Sequence, residues 1–496
     1  MAQQDRPQLH TLLIFYAVLA LAWLAFARWV VPPLLIAEHS PGILAYLKRF
    51  IELPPALFLT RDILGRWREY SGAVLLAIFL HFSVFFIVRR YDLRAAASRP
   101  TTVVQAENRT SLALLIVSFV FLGVTALSGP RHDYYFYRQM WYEIAQGHDP
   151  WFKVYGAGGH VPLNAYGPLF NLLTGLSWVN PYAPKLMCAY SYVIFAISQI
   201  KGFTASRAPS VIQLIMLFAL FWNPFPWVEI AARGHFDILV GLLCLGAVRA
   251  WTRGYDIRSG ACLALGVLLK YLPIVLLPAL AVDRGRVRWR FLVSALSTIA
   301  FGMELSCLVW GISTLSPLEL AANRDATALS IYYFVRGRYS PLLLFGAMTN
   351  LDYLAPYVLF SALLLAWRWA WVRQPDALAA AVVVAITTVL FYRTAYPQYQ
   401  MVPFVLGSAW AVRHWDSITC RTWRVLAIAC YFGWLAAFDL YYAFDDEGPG
   451  SRYWSTVQYV VGLPSFLVGC AFLAGVIRSA TTDDKASIQP PESKPR

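Results

Sequence analysis

Residues 11–36 read TLLIFYAVLALAWLAFARWVVPPLLI, a run whose one charged residue is Arg28. About 20 apolar residues carry a helix across a hydrocarbon core of roughly 30 Å, so this run is long enough to span. It is too long for the apolar part of a signal peptide and lacks a small-residue cleavage site, so it reads as a retained helix. Comparable stretches recur near 71–88, 111–128, 184–200, 210–224, 236–252, 290–312, 353–372, 376–392, 398–413, 424–442 and 455–477. The whole chain is 59% hydrophobic and only 14% charged, against about 25% charged in ordinary soluble domains, and its mean hydropathy is +0.53. No water-soluble fold hides that much apolar surface. The stretches lack the alternation of barrel strands, and a lipid-embedded backbone must satisfy its own hydrogen bonds, so helices are expected. The fold class predicted is all-α: a polytopic transmembrane bundle of about 12 to 14 spans.

The net charge of +14 does not indicate nucleic acid, because the Lys and Arg residues sit in short loops between apolar stretches. With the N-terminus in the cytoplasm, the basic loops Arg89–Arg109, Lys201–Arg207, Arg253–Arg258, Arg284–Arg290 and Arg413–Arg424 all fall inside, as does the polar tail. Asp445, Asp446 and Glu447 fall outside. That solution requires 259–282 to be two short helices turning at Lys270-Tyr271-Leu272-Pro273. It leaves 38–70 outside despite its basic residues, as an amphipathic interfacial helix broken at Pro54-Pro55. Seven cysteines without C-x-x-C spacing predict neither a disulfide nor a cysteine-based metal site. The expected organisation is 1–110 as extra N-terminal helices and a cytoplasmic loop, 111–412 as the catalytic module, 413–480 as C-terminal helices, and 481–496 as a disordered cytoplasmic tail.

The longest outer loop, Gly129 to about Tyr182, carries Asp133 within a few residues of a span's end. Its carboxylate belongs at the membrane surface, where a general base could reach a membrane-bound acceptor; alone, it could equally be a helix cap. Aromatic residues recur at helical spacing from Tyr134 to Ala145, and Gly147 and Pro150 end the run, giving a helix lying in the interface. A second group is Asn223-Pro224-Phe225-Pro226 followed by Arg233-Gly234-His235-Phe236-Asp237. Arg233 and Asp237, four apart, could pair across a helical turn. The histidines there and at His132, His148 and His160 lack ligand spacing, so no metal is expected. Lys270 stands within an apolar stretch, where an ammonium needs a partner: a phosphate, or a carboxylate such as Asp237. Arg324, Asp325, Arg336 and Arg338 lie on the outer face against the topological bias, and guanidinium forks match phosphate oxygens. Tyr396, Gln398 and Tyr399 make a hydrogen-bonding wall for a sugar or headgroup, or an ordinary aromatic girdle.

Over roughly 110–412 these motifs resemble the GT-C class of membrane glycosyltransferases, in the branch holding the polyprenyl-phosphomannose-dependent enzymes of family 87 and the transferase of the first GPI mannose. Asp133-Tyr134, Gly147, Pro150-Trp151 and Tyr166-Gly167-Pro168-Leu169 match its first loop. Asn223, Pro224, Pro226, Arg233, Gly234 and Asp237 match N-P-x-P with R-G-x-x-D. Lys270 and Pro273 match K-x-x-P, Arg336, Tyr339, Ser340 and Pro341 match R-x-x-[FY]-S-P, and Gln398-Tyr399 matches a late Q-Y. Arg131 stands where the GPI enzyme has the first aspartate of a D-x-D, so Asp133 alone carries over. The spans at 11–36 and 71–88 lie outside the family pattern.

The resemblance implies an inverting hexosyltransferase, with mannose favoured, drawing on a polyprenyl-phosphate sugar and a glycolipid or glycan acceptor among membrane lipids. Asp133 would be the base. Arg336, Lys270, Arg233 and Arg324 would hold the donor phosphate, with Tyr134, His235, Asp237, Tyr396, Gln398 and Tyr399 at the substrate. No cofactor or metal and no nucleic-acid partner is expected. The rivals are a flippase or transporter for a lipid-linked glycan and a glycan ligase, but no inverted repeat supports transport. The chain ends without an ER retrieval signal, so a bacterial plasma membrane is expected, with both termini cytoplasmic and the active site on the outer face.

Overall fold

The computed structural model describes residues 6–25, 66–96, 101–129, 133–151, 164–204, 218–318, 330–332, 351–415, 427–436 and 463–487. Among these the ordered backbone is helical apart from one two-residue hairpin, as the apolar composition requires. Five described helices are long and apolar enough to cross a membrane: Arg68–Leu93, Thr110–Leu127, Trp289–Leu318, Ala355–Arg373 and Leu463–Ala480. The all-α membrane class therefore holds, while the described helices that meet this test are fewer than the 12 to 14 spans expected. The stretches at 11–36, 210–224, 424–442 and 455–477, the interfacial segment 38–70 and the outer loop at 152–163 lie partly or wholly outside the described residues.

The chain forms two compact units, Met1–Tyr142 with Leu173–Phe236, and Glu143–Leu172 with Asp237–Arg496. In the first, α1 (Arg6–Ala25), α2 (Trp67–Ala96), α3 (Thr101–Leu127) and α5 (Ala183–Thr204) pack side by side, and α4 (Asp133–Ala145) begins in this unit. Helix α2 overruns its apolar stretch at both ends. Polar side chains on these helices find partners, since an unpaired polar group among apolar neighbours is costly. Tyr16 donates to His81 Nδ1 at 2.6 Å, and His81 Nε2 donates to the Leu115 carbonyl at 2.9 Å. Lys201 reaches Asp92 at 2.5 Å, and Ser111 donates to the same carboxylate at 2.9 Å. The two N-terminal helices outside the family pattern are thus bound into this unit by hydrogen bonds as well as by apolar contact.

In the second unit, α6 (Asp237–Thr252), α7 (Asp256–Leu269) and α8 (Trp289–Trp310) are successive neighbours. A two-residue hairpin, Val282–Asp283 with Arg286–Val287, precedes α8, and its turn places Arg284 and Gly285 at positive φ. The expected break at Lys270 is present: α7 stops at Leu269, Lys270 is extended, and a tight turn at Leu272–Leu276 leads to Leu277–Ala281. Proline at 273 has no N–H to give a continuing helix and clashes with the preceding turn. Helices α9 (Ala355–Arg373), α10 (Ala377–Phe391) and α11 (Met401–Arg413) follow. Helix α10 is buried from Ala377 to Leu390 and α11 from Met401 to Ala411, so they form the unit's centre. Helix α8 instead turns Leu308 and Val309 outward, as suits lipid contact. Helix α12 (Leu463–Ser487) continues seven residues past 480. Once a helix exists, each added residue gains a hydrogen bond without a new nucleation cost.

Candidate active site

Asp133 opens α4, where a carboxylate favours the positive end of the helix dipole. The aromatic face of α4 packs into the first unit, with Tyr134, Tyr137 and Trp141 buried, and Gly147 at φ 84° closes the run as its sequence suggests. The N-terminal end of α2 abuts this helix: Arg138 pairs with Glu69 at 3.2 Å, Tyr70 stacks on Tyr182 at 5.0 Å, and Asn180 donates to the Glu69 carbonyl at 3.0 Å.

The segment Asn223–Phe236 lies outside the five spanning helices. Asn223 accepts from the Phe225 N–H and Pro224 occupies the first helical position, which starts a turn after the apolar stretch. Trp227–Ala232 then winds as a wide π-type turn, closed by the His235 N–H on the Glu229 carbonyl at 2.9 Å. Gly234 sits at φ 68°, and a β-carbon there would come within 2.6 Å of the Tyr134 ring and 2.9 Å of Lys185 Cγ. Only glycine meets both requirements.

This reversal folds His235 back onto Glu229. Glu229 accepts from Arg233 at 2.5 Å through one oxygen and from His235 Nδ1 at 2.6 Å through the other. The other ring nitrogen, Nε2, has no well-aligned hydrogen bond but faces Asp133 Oδ2 at 3.3 Å. The Glu229 side chain is 0% exposed, His235 3% and Arg233 6%, whereas Asp133 is 36% exposed. Asp133 is therefore the one carboxylate of the cluster that an incoming molecule can touch. Burial alone would push the His235 imidazolium toward losing its proton, but the Glu229 and Asp133 carboxylates outweigh it and hold its pKa up at about 9. Burial likewise opposes the Glu229 charge, and Arg233 and His235 together depress its pKa.

Behind α4, Lys185 is fully buried. Its ammonium donates to the Ser128 carbonyl at 2.9 Å, to Ser128 Oγ at 2.7 Å and to the Gly129 carbonyl at 3.4 Å. A cation thus caps the C-terminal end of α3, where the helix dipole favours positive charge.

The second unit holds its own cluster. Lys270 is buried and paired with Asp237, with the ammonium 4.1 Å from the Tyr399 ring centroid and 5.9 Å from that of Tyr166. The other Asp237 oxygen, Oδ2, is buried without a hydrogen-bond partner. The Tyr166 loop is fastened to the end of α7 by the Gly167 N–H on the Leu269 carbonyl at 3.2 Å. It is braced by the Trp151 indole on the Tyr166 carbonyl at 3.1 Å.

Several sequence expectations are relocated. Lys270 takes the carboxylate partner, Asp237, and Arg233 pairs one turn back with Glu229 rather than forward with Asp237. Tyr134, expected at the substrate, is 0% exposed, and its hydroxyl donates to the Pro181 carbonyl at 2.7 Å. Gln398 and Tyr399 are buried at the entry to α11 and Tyr396 is half-buried. Arg324 and Arg336 lie outside the described residues, as does Arg131. Glu229 and Lys185 were missed. Glu229 was recognisable as a carboxylate four residues before Arg233, and Lys185 by the same criterion that singled out Lys270, an ammonium in an apolar helix. Among the described residues no three His, Cys, Asp or Glu side chains are grouped to hold a metal ion.

Residues 165–392 match the model of glycosyltransferase family 87, a narrower span than the 110–412 expected. It includes Arg233, His235, Asp237, Lys270, Arg324 and Arg336, while Asp133, Tyr134, Tyr396, Gln398 and Tyr399 fall outside it. No curated protein matches the chain.

Proposed function

We propose that this chain, a membrane glycosyltransferase placed in family 87 by residues 165–392, transfers a mannosyl unit from a polyprenyl-phosphate donor to an acceptor hydroxyl with inversion. The observation that carries the proposal is the exposure of Asp133 beside a cluster otherwise closed to solvent. In the proposed reaction the acceptor O–H gives its proton to Asp133 as its oxygen attacks the anomeric carbon. The bond from that carbon to the carrier phosphate breaks on the opposite side, and its electron pair leaves on the phosphate oxygen. Positioned general bases contribute about 10²–10⁴-fold to such steps.

The phosphate charge is assigned to Lys270, Arg336 and Arg324, because cations aimed at a leaving oxygen usually supply a large share of the stabilisation. Arg233, engaged by Glu229, supports the base instead. With ammonium and guanidinium groups in that role, the reaction is proposed to run without a metal. Tyr396, Gln398 and Tyr399 are assigned to the sugar or headgroup. The site is placed on the outer face of a bacterial plasma membrane, with both termini in the cytoplasm, in keeping with the basic loops.

The test uses radiolabelled polyprenyl-phosphomannose and membranes carrying equal amounts of wild-type protein or Asp133→Asn, with and without chelator. The expected result is labelled product from wild type in both conditions and none from the variant. Equal labelling from wild type and variant would remove Asp133 as the base. Labelling abolished by chelator would overturn the metal-independent mechanism.

A further inference from the structure

We infer that His235, held from behind by Glu229, is a positioning residue that keeps Asp133 aimed and charged, and is not itself a proton acceptor in the transfer. The inference rests on the reading of Asp133 as the base. Both ring nitrogens face carboxylates, Nδ1 at 2.6 Å from Glu229 and Nε2 at 3.3 Å from Asp133. An ionised carboxylate only accepts hydrogen bonds, so a ring that turns both nitrogens toward carboxylates is matched to the imidazolium form.

The charges around it are consistent with that form. Asp133 and Glu229 supply two negative charges, and His235 and Arg233 supply two positive ones, so the four-residue cluster as a whole is neutral only while His235 is protonated. From α4 the ring also meets Tyr137, at 6.4 Å between centroids. The pKa of about 9 agrees with this state at neutral pH.

The direction of proton flow follows. An imidazolium, with one N–H held by Glu229 and the other facing Asp133, has no lone pair for the acceptor's proton, so that proton stays on Asp133 and leaves through its exposed side. This differs from a Ser-His-Asp arrangement, in which a neutral imidazole takes the proton and the carboxylate orients it. Here the imidazolium orients the carboxylate. The 3.3 Å separation, without good hydrogen-bond alignment, is of the kind that tightens when an active site fills.

The experiment measures kcat and donor KM in matched membranes for wild type, His235→Gln, Glu229→Gln, Asp133→Glu and the double variant Asp133→Glu/His235→Gln, with Asp133→Asn alongside. His235→Gln is expected to lower kcat by about tenfold or more with little change in donor KM. In Asp133→Glu the carboxylate is already displaced, so adding His235→Gln should cost less than about threefold further. Glu229→Gln should mimic His235→Gln. An unchanged kcat in His235→Gln, or losses that multiply in the double variant, would overturn the inference even with Asp133→Asn inactive. An active Asp133→Asn would overturn the base reading itself. If the variants fail to fold, the wild-type profile decides: kcat should fall as pH rises through about 9 while donor KM holds, and a flat profile to pH 10 would refute a required imidazolium.

Discussion

Replacing Lys270 by Met separates what the ammonium does for the fold from what it does for the reaction. Asp237 is 1% exposed and its Oδ2 already lacks a donor, so removing Lys270 leaves a buried carboxylate with its charge uncompensated. Breaking a buried pair by deleting one partner costs about 3–5 kcal/mol, and the ammonium's contact with the Tyr399 ring adds about 1–2 kcal/mol. Replacing both partners with apolar residues of similar volume is often neutral or stabilising, by about 1–4 kcal/mol in favourable cases. Lys270→Met should therefore melt several degrees below wild type in detergent, measured as loss of the monodisperse size-exclusion peak after heating. Lys270→Met/Asp237→Leu should recover most of that loss. Transfer activity should be absent in both if Lys270 holds the donor phosphate as proposed, because that phosphate would lose its cation. A double variant that regains activity along with stability would show Lys270 to be purely structural. One that remains as unstable as Lys270→Met would refute the energetic account of the pair.

Gly167→Ala would place a β-carbon 2.0 Å from the Leu268 carbonyl oxygen, a backbone atom with little freedom to retreat. Destabilisation of about 1–3 kcal/mol, with a raised donor KM as the Tyr166 loop moves, is expected from thermal melting and kinetics. Lys185→Met should leave the carbonyls that end α3 without their donor, at about 1–3 kcal/mol each when buried, and lower kcat through the segment leading to Asp133. A variant with normal stability and rate would refute that capping role. At the loop before α10, burial would push the Asp376 carboxyl up, but His414, the Leu378 N–H and Arg413 outweigh it and hold the pKa below the ordinary range near 4. A depressed folded pKa contributes stability above the unfolded value and loses it as pH falls through the folded one. The melting difference between wild type and Asp376→Asn should thus be full at pH 7 and shrink below about pH 4; a difference that is constant with pH would refute it.

How far the residues alone reach is visible in particular elements. Helices α2, α3, α8, α9 and α12 follow from hydropathy, because lipid leaves a backbone no partner but itself. The start of α4 at Asp133 and its end at Gly147 follow from capping and from glycine's tolerance of positive φ. The break at Lys270 follows from Pro273 and from the basic loops on either side. All of these are local or compositional, and a single sequence carries them.

Partner choice among charges is different. Lys270 had two candidate partners, and the fold brings it Asp237 from 33 residues away. Arg233 had a carboxylate four residues ahead and another four behind, and only the π-type turn at Trp227–Ala232 with the reversal at Gly234 selects Glu229. The resemblance implies Tyr134 at the substrate beside Asp133, yet helix geometry turns adjacent side chains about 100° apart, so Asp133 is partly exposed while Tyr134 is buried. Composition and periodicity therefore determined that this is a helical membrane protein with a carboxylate at the start of a short aromatic helix. Tertiary structure decided which charge neutralises which, because burial makes an unpaired charge so costly that the pairing depends on the packing of distant segments.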